Sequence, residues 1–149
     1  TIRNLVWDTL HEFEQRTELN DIDVVYFDDA DLSAVQEKKY LQQLKTQLPN
    51  VNWEVVNQAR VHLWYEKKFN ITVKPLKSLF EGIATWPETA TCVGAYLEKG
   101  RVNIIAPYGL DDLFECILRH NPTRVSLTMY QQRLQQKQFQ RKWPMLTCV

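Results

Sequence analysis

Hydrophobic positions follow two different spacings along the chain, and this predicts a mixture of helices and strands. Apolar residues recur every three or four positions in some segments, as on one face of a helix. Short runs rich in β-branched residues between polar breaks indicate strands. The predicted helices cover residues 3–13, 31–48, 59–69, 76–86, 110–118 and 126–142, and the predicted strands cover residues 22–27, 51–56, 91–97 and 102–105.

These elements predict an α/β (α+β) fold, with a mixed β-sheet flanked by helices. Glu98-Lys99-Gly100-Arg101 joins the last two strands as a hairpin, so at least one strand pair is antiparallel. The last helix, residues 126–142, is polar and rich in Gln. We expect it to be a solvated terminal helix, with a docking arm for a partner as the alternative.

Length and composition predict one globular domain over residues 1–149. The chain has 149 residues, of which 44% are hydrophobic and 24% charged, so it can form a single core. Because it starts at Thr1 without a Met and already in a predicted helix, we expect that residues are missing upstream. No apolar run is long enough to cross a membrane, and three widely spaced Cys are typical of reduced thiols, so we expect a cytoplasmic protein.

Charge is balanced overall but unevenly distributed. The net charge is zero, which disfavours polymeric nucleic acid as a partner without excluding it. Residues 1–31 carry nine acidic and two basic side chains, whereas residues 119–149 carry six basic side chains and no acid. The acidic residues near the start of the chain suit a cation site, and the basic residues near its end suit phosphates. Two solvated surfaces with no such role explain the same charge pattern equally well.

Asp21 and Asp23 are the first candidate site residues. They stand at the start of the predicted strand at residues 22–27, and alternation along a strand puts them on one face with Cα atoms roughly 7 Å apart. Two carboxylates beside a buried strand repel each other, and a divalent cation removes that penalty. Mg²⁺ prefers such hard oxygen ligands. The alternative is a solvated turn that leads into the strand.

Glu54 strengthens the metal interpretation. It is a single acid within an apolar predicted strand, and it can face Asp21 and Asp23 if the two strands are neighbours. Three acids on adjacent strands can hold two metal ions about 3.5–4 Å apart. An exposed residue on an edge strand is the alternative.

A polar segment follows the Glu54 strand directly and opens a predicted helix. Asn57 and Gln58 are candidates for contacts with a sugar or base, and Arg60 is a candidate for a phosphate, because helix N-termini attract anions. The alternative is that Asn57 caps the helix and Arg60 is a surface cation. Neither a P-loop nor a G-x-G-x-x-G motif occurs in the chain.

At these residues the sequence resembles an uncharacterised bacterial nucleotidyltransferase family within the DNA polymerase beta-like superfamily. The resemblance spans nearly the whole chain. The stretches that carry it are Arg3-Asn4 with Val6-Trp7-Asp8, Asp21 to Asp28, Trp53 to Trp64, Trp86 to Thr91, Ala106 to Phe114, and Trp143-Pro144.

The resemblance implies an enzyme that moves a nucleoside monophosphate from a nucleoside triphosphate to an acceptor, with release of pyrophosphate. It implies that Asp21, Asp23 and Glu54 are the catalytic and metal-binding acids, with Mg²⁺ as the expected ion and Mn²⁺ as a substitute. Arg3 joins Asn57, Gln58 and Arg60 as a candidate substrate contact. The superfamily's glycine-containing turn before the first helix cannot be assigned in this sequence, and no residue indicates the acceptor.

Two other functions fit the same residues. One is a nucleotide-binding module that shares the fold without turnover. The other is a protein-interaction domain that uses the uneven charge distribution.

Overall fold

The computed structural model describes all residues from 1 to 149 and divides into two compact units. The first unit contains Leu19–Gly82 together with Thr1, and the second contains Ile2–Glu18 and Ile83–Val149. The helices are α1 (Ile2–Leu10), α2 (Val35–Gln47), α3 (Val61–Phe69), α4 (Leu79–Ala84), α5 (Asp111–Phe114), α6 (Leu127–Lys137) and α7 (Phe139–Lys142). The strands are β1 (Ile22–Tyr26), β2 (Trp53–Asn57), β3 (Gly94–Glu98), β4 (Arg101–Ile105), β5 (Ile117–Leu118) and β6 (Thr147–Cys148).

The six strands form three two-stranded sheets instead of the one mixed sheet predicted from the sequence. The pairs β1–β2 and β5–β6 are parallel, and β3–β4 is the predicted antiparallel hairpin. Parallel and antiparallel pairing therefore both occur among helices, which confirms the α/β (α+β) class. No helix has the length and apolar character needed to cross a bilayer.

In the first unit, α2 connects the parallel strands β1 and β2 and covers one face of the pair. The ring of Tyr26 on β1 meets the ring of Tyr40 on α2 edge-on, with centroids 5.2 Å apart. The indole Nε1 of Trp53 on β2 donates a hydrogen bond of 3.2 Å to the carbonyl oxygen of Leu48, the residue after α2. These contacts identify the covered face as the one that carries Tyr26 and Trp53.

The helix α2 begins at Val35, four residues later than the predicted start at Asp31. The carboxylate of Asp31 accepts a hydrogen bond from the backbone N–H of Ser33. Hydrogen bonding by the Ser33 hydroxyl, and then by that N–H, lowers the pKa of Asp31. The Asp28 carboxylate accepts in the same way from Ala30 and Asp31. Such local bonds favour turns over helix, so residues 28–34 form a loop that ends at Val35.

Aromatic residues from both ends of the chain form the core of the second unit. Trp7 on α1 packs edge-on against Trp143, with ring centroids 5.2 Å apart, and both rings contact Phe139. Both indole N–H groups are satisfied: Trp7 donates to the carbonyl oxygen of Leu113, and Trp143 donates to the buried carboxylate of Asp8. The two ends of this unit are therefore tied together by buried hydrogen bonds.

Two predicted helices differ in the structure. The helix predicted over residues 110–118 ends at Phe114, because Cys116 adopts a positive φ of 57° and the chain continues as β5. The terminal helix predicted over residues 126–142 starts as expected, with the Ser126 hydroxyl as its cap, but Gln138 at φ 49° divides it into α6 and α7. This terminal segment is also less exposed to solvent than predicted, since Tyr130 and Phe139 are buried.

Candidate functional site

The register of the parallel pair β1–β2 brings two of the predicted acids side by side. Asp23 pairs with Glu54, and the ladder runs from Ile22 with Trp53 to Tyr26 with Asn57. Paired residues of a parallel ladder point to the same face, and strand residues two apart share a face. Asp21 stands directly before β1, two residues ahead of Asp23, and its place on the face that carries Asp23 and Glu54 stays a prediction.

This acidic face is the one that α2 leaves open. Tyr26 and Trp53 point to the covered face, so alternation sends Asp23 and Glu54 to the opposite side of the two strands. Asp23 and Glu54 are exposed and Asp21 is half-buried. The sequence predicted that these strands would be neighbours, and the ladder confirms it.

Neither Asp21 nor Glu54 uses its carboxylate in a hydrogen bond or ion pair within the chain. The side chains are not drawn together into a group of three metal-binding residues. Neighbouring strands are roughly 5 Å apart, so the Cα atoms of Asp23 and Glu54 are close enough for both carboxylates to reach one ion by side-chain rotation. Like charges directly opposite each other on a ladder are destabilising.

Asn57 lies on the other face of the ladder and is fully buried, with 0% exposure. Its Oδ1 accepts hydrogen bonds from the backbone N–H of Asp28 and Ala59, and its Nδ2 donates to the carbonyl oxygens of Asp28 and Asp31. A side-chain amide offers two donors and two acceptor positions, and all four are used. Asn57 thus caps the segment after β2, as the alternative from the sequence has it, and also anchors the loop after β1. A contact between Asn57 and a sugar or base stays a prediction.

Arg60 is committed to an ion pair with Glu37 of α2, at 2.5 Å, and its Nε donates to the carbonyl oxygen of Leu32. The other carboxylate oxygen of Glu37 accepts the backbone N–H of Asn57. Arg60 is therefore more than a surface cation, because it holds α2 against the end of β2. Sequence reasoning missed Glu37, although an acid in the first turn of a helix is a position where such anchors occur.

Gln58 is buried and closely packed. A Cβ atom added to Gly82 would lie 2.8 Å from the side chain of Gln58, so a larger residue at position 82 would require Gln58 to shift. The predicted contact between Gln58 and a nucleotide stays a prediction.

A family model described as Nucleotidyltransferase matches residues 1–148 of this chain. The chain belongs to this nucleotidyltransferase family. A solved protein whose NMR structure reveals a CCA-adding enzyme head domain is similar, with a TM-score of 0.77 and 27% identity. The alignment covers 99% of this chain and 77% of that one. No curated protein matches.

Family and fold together show that this nucleotidyltransferase is an enzyme and that nucleotidyl transfer is its role. They confirm the nucleotidyltransferase-like fold and imply a nucleotide as substrate.

Arg3, the remaining predicted contact of the nucleotidyltransferase, belongs to the second unit. Its guanidinium lies over the rings of Trp7, Phe139 and Trp143, at 5.7, 4.9 and 5.9 Å from the centroids. Its Nε donates to the side chain of Asn4. Stacking over several rings stabilises the core of this unit, and a substrate contact by Arg3 stays a prediction.

Proposed function

We propose that this enzyme transfers a nucleoside monophosphate from a nucleoside triphosphate to a hydroxyl acceptor, in a reaction that depends on a divalent metal ion. The observation that carries the proposal is the pairing of Asp23 with Glu54 in a parallel ladder, with Asp21 directly before the first of the two strands. Membership of the nucleotidyltransferase family supplies the reaction class.

The donor set fits Mg²⁺. All three side chains offer hard carboxylate oxygens, and the ladder pairs Asp23 with Glu54. Mg²⁺ binds proteins through a few carboxylates and leaves its other positions to water and phosphate oxygens; Mn²⁺ accepts the same ligands. When bound, such an ion polarises phosphoryl oxygens and neutralises the charge of the leaving pyrophosphate.

The residues of this chain have two tasks in the proposed reaction. Asp21, Asp23 and Glu54 bind and orient the metal–triphosphate, and one of the three carboxylates accepts the proton of the attacking hydroxyl. The hydroxyl oxygen forms a bond to the α-phosphorus while the bond from that phosphorus to the bridging oxygen breaks, and pyrophosphate leaves with the electron pair. Positioning and charge stabilisation account for most of the catalysis in such transfers.

The proposal gives no nucleotide contact to Asn57, because its side chain has no polar atom left to donate or accept. Arg3, Gln58 and Arg60 are kept as predicted contacts. A phosphate contact by Arg60 requires it to share its guanidinium between the phosphate and Glu37.

The test is a screen of the four nucleoside triphosphates with Mg²⁺ or Mn²⁺ and mixed hydroxyl acceptors, with pyrophosphate release as the readout. The wild type should release pyrophosphate, and the double variant Asp21→Asn, Asp23→Asn should not. Asp29→Asn removes one exposed acid from the neighbouring loop and is the charge control, which should keep activity. Nucleotide binding without any pyrophosphate release would contradict the proposal and favour a non-catalytic nucleotide-binding module.

A further inference from the structure

The centre of the parallel pair β1–β2 does not specify its register by itself. The ladder has five pairs, and its centre places Val24 beside Val55 and Val25 beside Val56. A shift by one residue would still place valine beside valine there. A strand with one buried face is held in register by its hydrophobic pattern. In this pair that pattern depends on the outer positions, where Tyr26 and Trp53 lie on the covered face.

Asn57 ties the two strands together at their carboxyl ends. It pairs with Tyr26 at the end of the ladder, and its amide donates to and accepts from the backbone of Asp28, two residues beyond Tyr26. The bond lengths are 2.7 Å to the carbonyl oxygen and 3.0 Å from the N–H. These paired bonds to one residue define how far β1 extends relative to β2.

A second set of bonds holds Asn57 itself in place. Its backbone N–H donates 2.8 Å to the carboxylate of Glu37, and Glu37 also pairs with Arg60. A helix cap alone needs only the bond from the Ala59 N–H, so the contacts to Asp28 and Asp31 serve another purpose. The strand ends, the loop at residues 28–32 and α2 are thereby fixed to one amide.

We propose that Asn57 is a positioning residue that fixes the register of β1 against β2 and so keeps Glu54 beside Asp23. Both acids lie three residues before the Tyr26–Asn57 pair, so any slip at that pair is transmitted directly to them. A shift of the register by one residue would place Glu54 beside Ile22 or Val24, and the two carboxylates would no longer be neighbours. This inference rests on the proposed function of the acidic face.

Asn57 acts through the backbone and touches neither metal nor substrate, so its loss should weaken metal binding more than a general loss of stability explains. Supporting residues outside the ligand set of a metal site typically contribute about 10- to 100-fold in metal affinity. We expect Asn57→Ala to weaken Mn²⁺ binding at least about tenfold.

The experiment measures Mn²⁺ binding without nucleotide, by EPR titration of the free ion, at a temperature where circular dichroism shows each variant folded. Asn121→Ala is the matched control. Asn121 is a buried amide of the second unit that donates to the carbonyl oxygens of Ala84 and Trp86. Its loss should lower thermal stability to a similar degree and leave Mn²⁺ affinity within about twofold of the wild type.

Asn57→Asp is the second variant and carries the test if Asn57→Ala does not fold. It keeps the acceptor for the Asp28 and Ala59 N–H groups but turns an oxygen toward the carbonyl oxygens of Asp28 and Asp31. We expect it also to weaken Mn²⁺ binding.

Wild-type affinity in a folded Asn57 variant would overturn the positioning role and leave the proposed function standing. A wild type that binds no Mn²⁺ would overturn the proposed function and, with it, this inference.

Discussion

Asp23 and Glu54 are register partners, so two negative charges leave adjacent strands from the same face. Like charges placed directly opposite on a ladder destabilise a sheet. A fold that keeps such a pair exposed accepts a cost in stability, as functional sites commonly do. A substitution that removes one charge of this pair should therefore affect stability and activity in different directions.

Glu54→Gln should therefore leave the fold as stable as the wild type or more stable, by up to about 1 kcal/mol in metal-free buffer. Pyrophosphate release should fall about 100-fold or more, because a lost metal ligand removes several kcal/mol of charge stabilisation. Thermal unfolding and initial rates measure the two effects. Glu115→Gln, an exposed acid on the second unit, is the control and should change neither. Equal loss of stability and activity in Glu54→Gln would indicate a structural acid.

Tyr26→Phe should stabilise the protein. The Tyr26 hydroxyl is buried without a hydrogen-bond partner, and burial raises the pKa of Tyr26, with a further contribution from the Glu37 carboxylate. Removing an unsatisfied buried hydroxyl recovers part of its desolvation cost, so we expect a gain of about 1 kcal/mol in the free energy of unfolding, measured with urea. A clear loss of stability would show that the hydroxyl has a partner such as a bound water.

Tyr130→Phe should have the opposite effect at neutral pH. The buried Tyr130 hydroxyl donates a hydrogen bond of 2.7 Å to the carbonyl oxygen of Leu118, so its removal should cost about 1 kcal/mol.

Burial raises the pKa of Tyr130 to about 12 from the ordinary tyrosine value of 10.0, with contributions from Cys148 and Glu88. Because the folded state holds this proton more tightly than the unfolded state, stability should fall as pH rises from about 10 to about 12. Unfolding measured at several pH values should show a shallower alkaline decline in Tyr130→Phe. An unchanged slope would contradict the assignment.

The sequence predicts those parts of the fold whose signal is local. The hairpin is predicted because Gly100 readily adopts a positive φ between two apolar runs, and the turn has Lys99 at φ 48° and Gly100 at φ 76°. The strands that carry Asp23 and Glu54 are predicted from their β-branched runs. Cys116 and Gln138 adopt a positive φ although neither is glycine. The residue type at these positions therefore does not predict where the helices end.

The candidate site, like the fold, could be predicted from the sequence only where the signal is local. That Asp23 and Glu54 share a face follows from alternation along each strand and the pairing of neighbours, and the same alternation predicts Asp21 on that face. The face on which Asn57 lies depends on which residues of the two strands are paired. The ion pair between Arg60 and Glu37 depends on where α2 packs, and no local sequence pattern predicts that position. The expected metal, the donor nucleotide and the cytoplasmic location stay predictions.

The most direct measurement of the central claim is paramagnetic broadening of backbone amide NMR signals by Mn²⁺. If Asp21, Asp23 and Glu54 hold one hard ion, the amides around residues 21–23 and 54 should broaden first. The effect should disappear in the variant Asp21→Asn, Asp23→Asn, and excess Mg²⁺ should reverse it in the wild type. Broadening centred on the acidic loop at residues 28–31, or unchanged by that double substitution, would contradict the account.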